Sequence, residues 1–310
     1  MITSFDEILQ VVKTRPKKTI AVAMADEVEV LAAVSQANKE GLADAVLVGD
    51  KTSIIRLSEQ HEIDISKFDI VQADNENQSV VRSIQLVDER LADTLMKGRC
   101  SSASMLKAVL DKQHDVRTGK LLSHCAVMQI PTYHKLLIMS DGGINIAPDL
   151  DVKVGIIDNA VNCARMLGIE KPKVALISAL EKVNYKAMQC TIDAAVISKM
   201  SQRGQIANAI IDGPLAVDNA VSKKACEIKG IDSPVGGDAD ILIMPMIEAG
   251  NVFYKALSCF TETKFAGIVL GARVPIVFTS RSDSEETKYL SIALGIILSE
   301  RTEGPERSGH

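Results

Sequence analysis

Residues 19–49 read TIAVAMADEVEVLAAVSQANKEGLADAVLVG. TIAVAMA (19–25) is an unbroken apolar run of strand length, and EVEVLAAVSQANKEG (27–41) repeats apolar residues at helical spacing up to a terminal glycine. AVLVG (45–49) is a second apolar run. Strands that are apolar throughout, rather than alternating, have both faces covered. Strands of that kind separated by helices indicate a mainly parallel sheet.

The same grammar continues along the chain. DIVQA (69–73) and TLMKG (94–98) extend the strand series, and Ser101 to Leu110 fits a helix opened by a serine cap. HCAVMQ (124–129) and KLLIMS (135–140) are short and close enough to form an antiparallel pair. Asp151 to Gly168 returns to helical spacing through Val154, Ile157, Val161 and Ala164. VALIS (174–178), AIIDG (209–213), ILIMP (241–245), IVLG (268–271) and PIVFTS (275–280) follow as strands, with helices between most of them. So many strands crowd a single open sheet, which argues for α/β architecture in two α/β/α domains. With the last helix (about 283–300) returning to the start, residues 1–130 with 280–310 form the first domain and 131–279 the second.

Composition sets outer limits. The 310 residues are 46% hydrophobic and 24% charged, with six Phe, four Tyr and no Trp, so the core is built from aliphatic side chains and eleven Met. A net charge of −5 without long basic runs argues against nucleic acid as a partner. Six cysteines (Cys100, Cys125, Cys163, Cys190, Cys226 and Cys259) show no metal-ligand spacing and read mostly as small buried hydrophobes in a reducing compartment. His114, His124 and His134 have no ligand-spaced neighbours and read as structural. MITSFDEILQVVKTRPKK (1–18) lacks an apolar signal core, and no apolar run approaches the ~20 residues that span a bilayer. The expectation is a cytoplasmic protein without a membrane partner, its polar tail TEGPERSGH frayed.

Five segments end a strand with Gly, Asp, Ser or a cation, where open α/β sheets bind ligands. In FTSRSDSEETK (278–288), a strand gives way to Ser280-Arg281 and then a helix start. Ser282 or Ser284 suits the cap, Ser282 with Glu285 making a capping box. Free N–H groups there attract an anion, and the Arg281 fork suits phosphate oxygens; the competing reading is a surface arginine paired with Glu285 or Glu286. MKGRCSS (96–102) sets Lys97 and Arg99 before a capped helix that carries Lys107, which is either an anion site or a solvated basic turn. In IDGPLAVDNAVS (211–222), Gly213-Pro214 suggests a turn that Asp212 either braces or uses catalytically. EAGNVFYK (248–255) spaces Glu248 and Asn251 one turn apart, with Glu248 placed to suit a helix dipole. SDGGINIAPDL (140–150) is Gly-rich without a dinucleotide fingerprint.

Together these segments resemble the phosphate acetyl/butyryltransferase family, the butyryltransferase branch in particular. DGPLAxDNA, GDADIL-x-x-P-x-IEAGN-x-x-YK and TSR-x-DS-x-x-TK occur in the family's order, with LMKG, RTG (117–119), LSH (122–124) and NIAPDL (145–150) beside them. The resemblance implies the two-domain fold shared with isocitrate and isopropylmalate dehydrogenases, an interdomain cleft and a homodimer. It implies exchange of a C4–C5 acyl group between coenzyme A and phosphate in a ternary complex, with acyl-CoA, phosphate and acyl phosphate as partners. CoA is then a substrate, and no metal or permanently bound cofactor is needed. Ser280 and Arg281 match the family's catalytic Ser-Arg pair, and Lys107 matches a cation normally present as Arg. Lys97, Arg99, Asp212, Gly213, Glu248 and Asn251 remain candidates for substrate or CoA binding. Two positions depart from the pattern. Thr287 stands where the acetyltransferases carry their proposed catalytic Asp, leaving Asp283 or Glu286 as candidate bases, and Met246 replaces the usual Asp before IEAGN. The rival readings are a metal-dependent dehydrogenase of the same fold and a non-catalytic CoA- or acyl-binding sensor.

Overall fold

The computed structural model describes residues 1–299; the TEGPERSGH tail lies outside the described residues. In chain order the elements begin with α1 (Phe5–Lys13), β1 (Lys18–Ala23), α2 (Val28–Lys39), β2 (Ala43–Gly49) and α3 (Lys51–Gln60). Next come β3 (Asp69–Gln72), α4 (Glu76–Asp88), β4 (Thr94–Lys97), α5 (Ser102–Val109), β5 (Ser123–Gln129) and β6 (Leu137–Ser140). They continue with α6 (Leu150–Met166), β7 (Lys173–Ile177), α7 (Gln189–Gln202), β8 (Ile210–Leu215), α8 (Val217–Val221) and α9 (Lys223–Lys229). The last are β9 (Ile241–Ile243), α10 (Ile247–Phe260), β10 (Lys264–Leu270), β11 (Ile276–Val277) and α11 (Glu285–Ser299).

The chain divides into two compact units. One comprises Phe5–Lys120 with the chain from Ala266 onward, the other Leu121–Phe265 with Met1–Ser4. Sequence reading draws these divisions at 130/131 and 279/280. Strand pairing accounts for the different position of the second: Ile276 and Val277 run parallel to Leu95 and Met96, and Ile268 and Val269 pair antiparallel with Val277 and Ile276. PIVFTS contributes only the two-residue β11, because its later residues already turn toward the helix.

In the unit built around β1 the strand order is β3-β2-β1-β4-β11-β10. Every pair is parallel except β10 with β11. The chain moves outward from β1 to β3 and then returns to lay β4 on the other side of β1. Right-handed crossovers put helices from the outward and returning paths on opposite faces. Contacts follow that rule: α2 packs with α3 and α11, whereas α4 packs with α5. Ile20, Ala21, Val22 and Ala23 of β1 are fully buried, as expected for a strand covered on both faces. Thr287–Ser299 of α11 are buried on every side, so this helix behaves as core rather than as an amphipathic cover.

The other unit has the order β5-β6-β9-β7-β8, with β5 and β6 antiparallel and the remaining pairs parallel. Gly213-Pro214 does not make the turn anticipated for it. The strand runs through both residues to Leu215, across a register shift against β7, and Asp212 lies within the strand beside Ala175. The reason is close approach. A Cβ on Gly213 would stand 2.7 Å from Leu176 Cβ and 2.8 Å from Leu176 O, so glycine lets the strand continue against β7.

The GDAD segment before β9 is a charge clamp. Asp238 pairs with Lys173 at 2.6 Å and Lys135 at 2.9 Å, while Asp240 pairs with Lys135 at 2.6 Å and accepts from Lys173 N at 2.7 Å. Burial acts to raise the Asp238 pKa, but hydrogen bonds from Lys173 and Lys135 outweigh it and hold this carboxyl far below the ordinary 3.8. A depressed folded-state pKa contributes stability that is present above 3.8 and is lost as pH falls below it. Asp238→Asn is expected to cost about 3 kcal/mol at pH 7, the scale for breaking a largely buried ion pair. The deficit relative to the native protein should shrink as urea midpoints are measured from pH 5 downward. A deficit independent of pH would show that the clamp is not electrostatic.

Candidate functional site

The order β3-β2-β1-β4 reverses direction between β1 and β4, and their carboxyl ends diverge there into the kind of crevice that binds ligands in open α/β sheets. The loops after these strands are tied together: Gly98 N donates to Ala23 O and Arg99 N to Met24 O, both at 2.9 Å. A Cβ at Gly98 would lie 2.3 Å from Met24 O and 2.6 Å from Ala23 O, so only glycine permits this approach. The Met24 N–H donates to Ser79 Oγ at 2.7 Å, which in turn donates to Val48 O at 2.9 Å. The result is a cavity of about 550 Å³ lined by Met24, Glu27, Glu29, Glu76, Arg99 and Arg281.

Four cations gather here, each in a different state. Arg99 is ion-paired with the buried Asp26. Lys288 is 1% exposed; its ammonium donates to Asp283 O at 2.7 Å and stands 3.2 Å from Glu27 Oε1. Lys97 is 4% exposed, has no carboxylate within ion-pairing distance among the described residues, stands 5.8 Å from the Phe278 ring centroid, and reaches Gly98 O at 3.3 Å and Thr279 O at 3.5 Å. Burial depresses its pKa, and the nearby Arg281 and Lys288 charges add to that effect. Arg281 is exposed at the cavity wall, and no carboxylate among the described residues stands within ion-pairing distance of it. The competing reading of Arg281, a surface pair with Glu285 or Glu286, is therefore not what the fold adopts.

The turn carrying Arg281 is internally braced. Ser280 N donates to Asp283 Oδ2 at 2.7 Å, Asp283 N to Ser280 O at 3.1 Å, and the hydroxyls of Ser280 and Ser282 lie 3.1 Å apart. Ser284, not Ser282, caps α11, accepting from Thr287 N at 3.2 Å. The anticipated Ser282–Glu285 box does not form, because the brace to Asp283 keeps Ser282 in the turn before the helix. Thr287 thus fills the third helical position, its hydroxyl accepting from Ser284 Oγ at 3.2 Å. Across the cavity, Ser101 caps α5 and donates from N and Oγ to Glu76 Oε1 at 3.1 and 2.8 Å. Bonds from Ser104 and Ser101 lower the Glu76 pKa, and Arg281 adds to the effect. Cys100, buried beside Lys97, has its thiol pushed up to about 11 by burial.

Other candidates lie elsewhere. Lys107 is exposed in the last turn of α5, away from the helix start. Glu286 is exposed in the first turn of α11. Asp212, Gly213, Glu248 and Asn251 belong to the Leu121–Phe265 unit, where Asn251 Nδ2 donates to Gly142 O at 3.3 Å and Glu248 is exposed in the first turn of α10. His114 pairs with Asp88 at 2.9 Å and His134 with Asp238 at 3.0 Å. All six cysteines are free; Cys259 is exposed and Cys190 partly so, departing from the buried pattern read for the set. Among the described residues, no three His, Cys, Asp or Glu side chains converge as a metal site requires. Sequence reading passed over Asp26, Glu27, Glu76 and Lys288. The first three follow strand ends and so carried a positional signal, but Lys288 lies inside a helix and carried none.

Fold and site define a mainly parallel α/β protein with an arginine at a switch-point cavity that has no ionic partner among the described residues. Residues 4–83 and 75–296 match the family described as Phosphate acetyl/butaryl transferase. The chain is 45% identical over 298 residues to a phosphate butyryltransferase of Clostridium acetobutylicum, covering 96% of this chain and 99% of that one. It is 42% identical over 293 residues to a phosphate acetyltransferase of Thermotoga maritima, covering 94% and 99%. A branched-chain phosphotransacylase from Enterococcus faecalis V583 superposes with a TM-score of 0.81 at 30% identity, over 91% of this chain and 99% of that one. A 4-hydroxythreonine-4-phosphate dehydrogenase from Klebsiella pneumoniae shares the fold alone, with a TM-score of 0.53 at 14% identity over 91% and 98%. The chain belongs to the phosphate acetyl/butyryl transferase family.

Met246, the departure before IEAGN, is the N-cap of α10 in extended backbone (φ −161°, ψ 165°) and makes no side-chain cap bond. An aspartate there would accept from a free N–H of the first turn and meet the positive end of the helix. Met246→Asp is expected to stabilise the protein by about 1 kcal/mol in urea unfolding at pH 7. A neutral or destabilising result would mean that the methionine packing outweighs the cap.

Proposed function

We propose that this protein exchanges an acyl group between coenzyme A and inorganic phosphate, acyl-CoA + phosphate giving acyl phosphate + CoA in a ternary complex. The acyl group is C4–C5, straight or branched. One observation carries the site assignment: the Arg281 guanidinium, without an ionic partner among the described residues, stands at a cavity wall in a braced turn before α11. A planar fork of donors there suits two oxygens of phosphate, and free N–H groups of the helix start add to the attraction.

A phosphate oxygen attacks the thioester carbonyl, forming a C–O bond and a tetrahedral oxyanion. Collapse breaks the C–S bond, and CoA leaves as thiolate. Phosphate is already partly dianionic near neutral pH, so this direction needs little help from a base. Arg281 holds the phosphate and balances the growing negative charge, and Ser280 donates a hydrogen bond from the adjacent position. In reverse, a CoA thiol with an ordinary pKa near 8.5 is only a few per cent thiolate at pH 7, and nearby positive charge raises that fraction. Lys97 and Arg281 supply that charge. Asp283 is committed to Ser280 N at 2.7 Å, which favours a bracing role for it over that of a base. Glu286, in the first turn of α11, suits the helix dipole.

The protein works without a permanently bound cofactor, as a cytoplasmic homodimer. No helix among the described residues is long and apolar enough to cross a membrane. The dimer is supported by α10, which exposes Val252 and Phe260, apolar surface that a subunit contact would cover.

Arg281→Ala is expected to lower kcat/KM at least ~100-fold, with Arg281→Lys recovering only part because the fork is lost. Free-thiol release from butyryl-CoA and phosphate measures this, and a folded alanine variant of near-native activity would sink the assignment. Across a panel of acyl-CoAs, C4–C5 substrates should exceed acetyl-CoA in kcat/KM. One methylene is worth only ~1–3 kcal/mol in an apolar pocket, so neighbouring chain lengths should overlap. Acetyl-CoA as the best substrate would overturn the chain-length assignment and leave the reaction class standing.

A further inference from the structure

Lys288 closes the TSR-x-DS-x-x-TK segment, yet the reaction just described gives it no part. It lies in the first turns of α11, whose residues from Thr287 to Ser299 are all buried, and it is itself 1% exposed. An ammonium buried so fully is costly unless each of its bonds is used. Its bonds go to two places. One runs back to Asp283 O at 2.7 Å, in the turn that carries Ser280 and Arg281. The other is the ion pair with Glu27 Oε1 at 3.2 Å, in the loop between β1 and α2. Glu27 is itself mostly enclosed, with 14% of its side chain exposed, and it lines the same cavity wall as Arg281.

We infer that Lys288 is a positioning residue for the acyl-transfer reaction: its buried ammonium pins the Ser280–Ser284 turn to the loop after β1 and so fixes where the Arg281 fork stands in the cavity. The inference rests on the reading that Arg281 holds phosphate. Lys288 does not itself reach a substrate in the cavity, because it is only 1% exposed. Its reach explains why a lysine, rather than an apolar residue, stands at the start of the buried stretch of α11. The internal brace from Ser280 N to Asp283 Oδ2 shapes the turn, and Lys288 ties that turn to Glu27 in the loop after β1. Displacing an orienting group by about 1 Å can cost ~100-fold in rate, so a tether of this kind acts directly on kcat/KM.

The test compares Lys288→Met, Glu27→Gln, their double variant and Arg281→Ala, with thermal melts and steady-state kinetics in which phosphate and butyryl-CoA are varied separately. Lys288→Met should raise the KM for phosphate about tenfold or more and leave the KM for butyryl-CoA within about threefold, since the tether places the phosphate-holding fork. Glu27→Gln should shift the phosphate KM in the same direction by a smaller factor. The double variant should be no worse than Lys288→Met alone, because both changes break one contact. A purely structural lysine would instead lower the melting temperature and the active fraction with both KM values unchanged, and that result overturns the inference. If Lys288→Met does not fold, Glu27→Gln decides: an unchanged phosphate KM overturns the inference and a raised one supports it. A folded Arg281→Ala enzyme of near-native activity removes the underlying reading instead. A crippled Arg281→Ala beside a kinetically normal Lys288→Met removes the tether alone.

Discussion

Two backbone hydrogen bonds, Gly98 N to Ala23 O and Arg99 N to Met24 O, hold together the loops that leave β1 and β4. The strands are parallel neighbours whose helices depart to opposite faces, so their carboxyl ends would otherwise diverge. The approach is so close that a single methyl at position 98 would enter the Met24 carbonyl. Everything at the cavity is referenced to this seam. Arg99 emerges from one side of it and pairs with Asp26 on the other, while Glu27 extends the same loop toward Lys288.

Charge at the cavity is graded by how each cation is partnered. Arg99 and Lys288 are neutralised by carboxylates, and their charge is spent on holding loops in place. Lys97 is buried and donates to carbonyl oxygens, and neither it nor Arg281 at the cavity wall has an ion pair among the described residues. A buried cation without a counter-ion among the described residues, as Lys97 is, carries a desolvation cost that an anion beside it would relieve. The same low-dielectric surroundings that depress the Lys97 pKa strengthen its attraction for a bound anion while it stays protonated.

The most recognisable motifs therefore divide between scaffold and chemistry. GDADIL holds its aspartates against Lys135 and Lys173 of its own unit, just before β9. Gly213-Pro214 continues a strand against β7. In TSR-x-DS-x-x-TK, Ser284 and Thr287 cap a helix, Asp283 and Lys288 brace a turn, and Arg281 lines the cavity. A motif conserves a shape as readily as a reaction, and hydrogen-bond accounting separates the two.

Residues 19–49 by themselves determined the class of fold, because unbroken apolar runs of strand length joined by helical spacing admit few arrangements other than a covered parallel sheet. Ser101 as a cap, the antiparallel pair at 124–140 and the return of the last helix to the first unit were legible for the same reason: each depends on neighbours within a few turns, or on apolarity on all sides. The cations after β4 and β11 could be picked out as strand-end residues, but not which of them would be free. That depended on Asp26 and Glu27, which lie some seventy and two hundred and sixty residues away along the chain from Arg99 and Lys288. Ser284 displaced Ser282 as the cap only because Asp283 turned back onto Ser280. Tertiary structure alone decided these points, since a charge takes its partner from whatever stands within about 4 Å in space, and spacing along the chain carries no record of that distance.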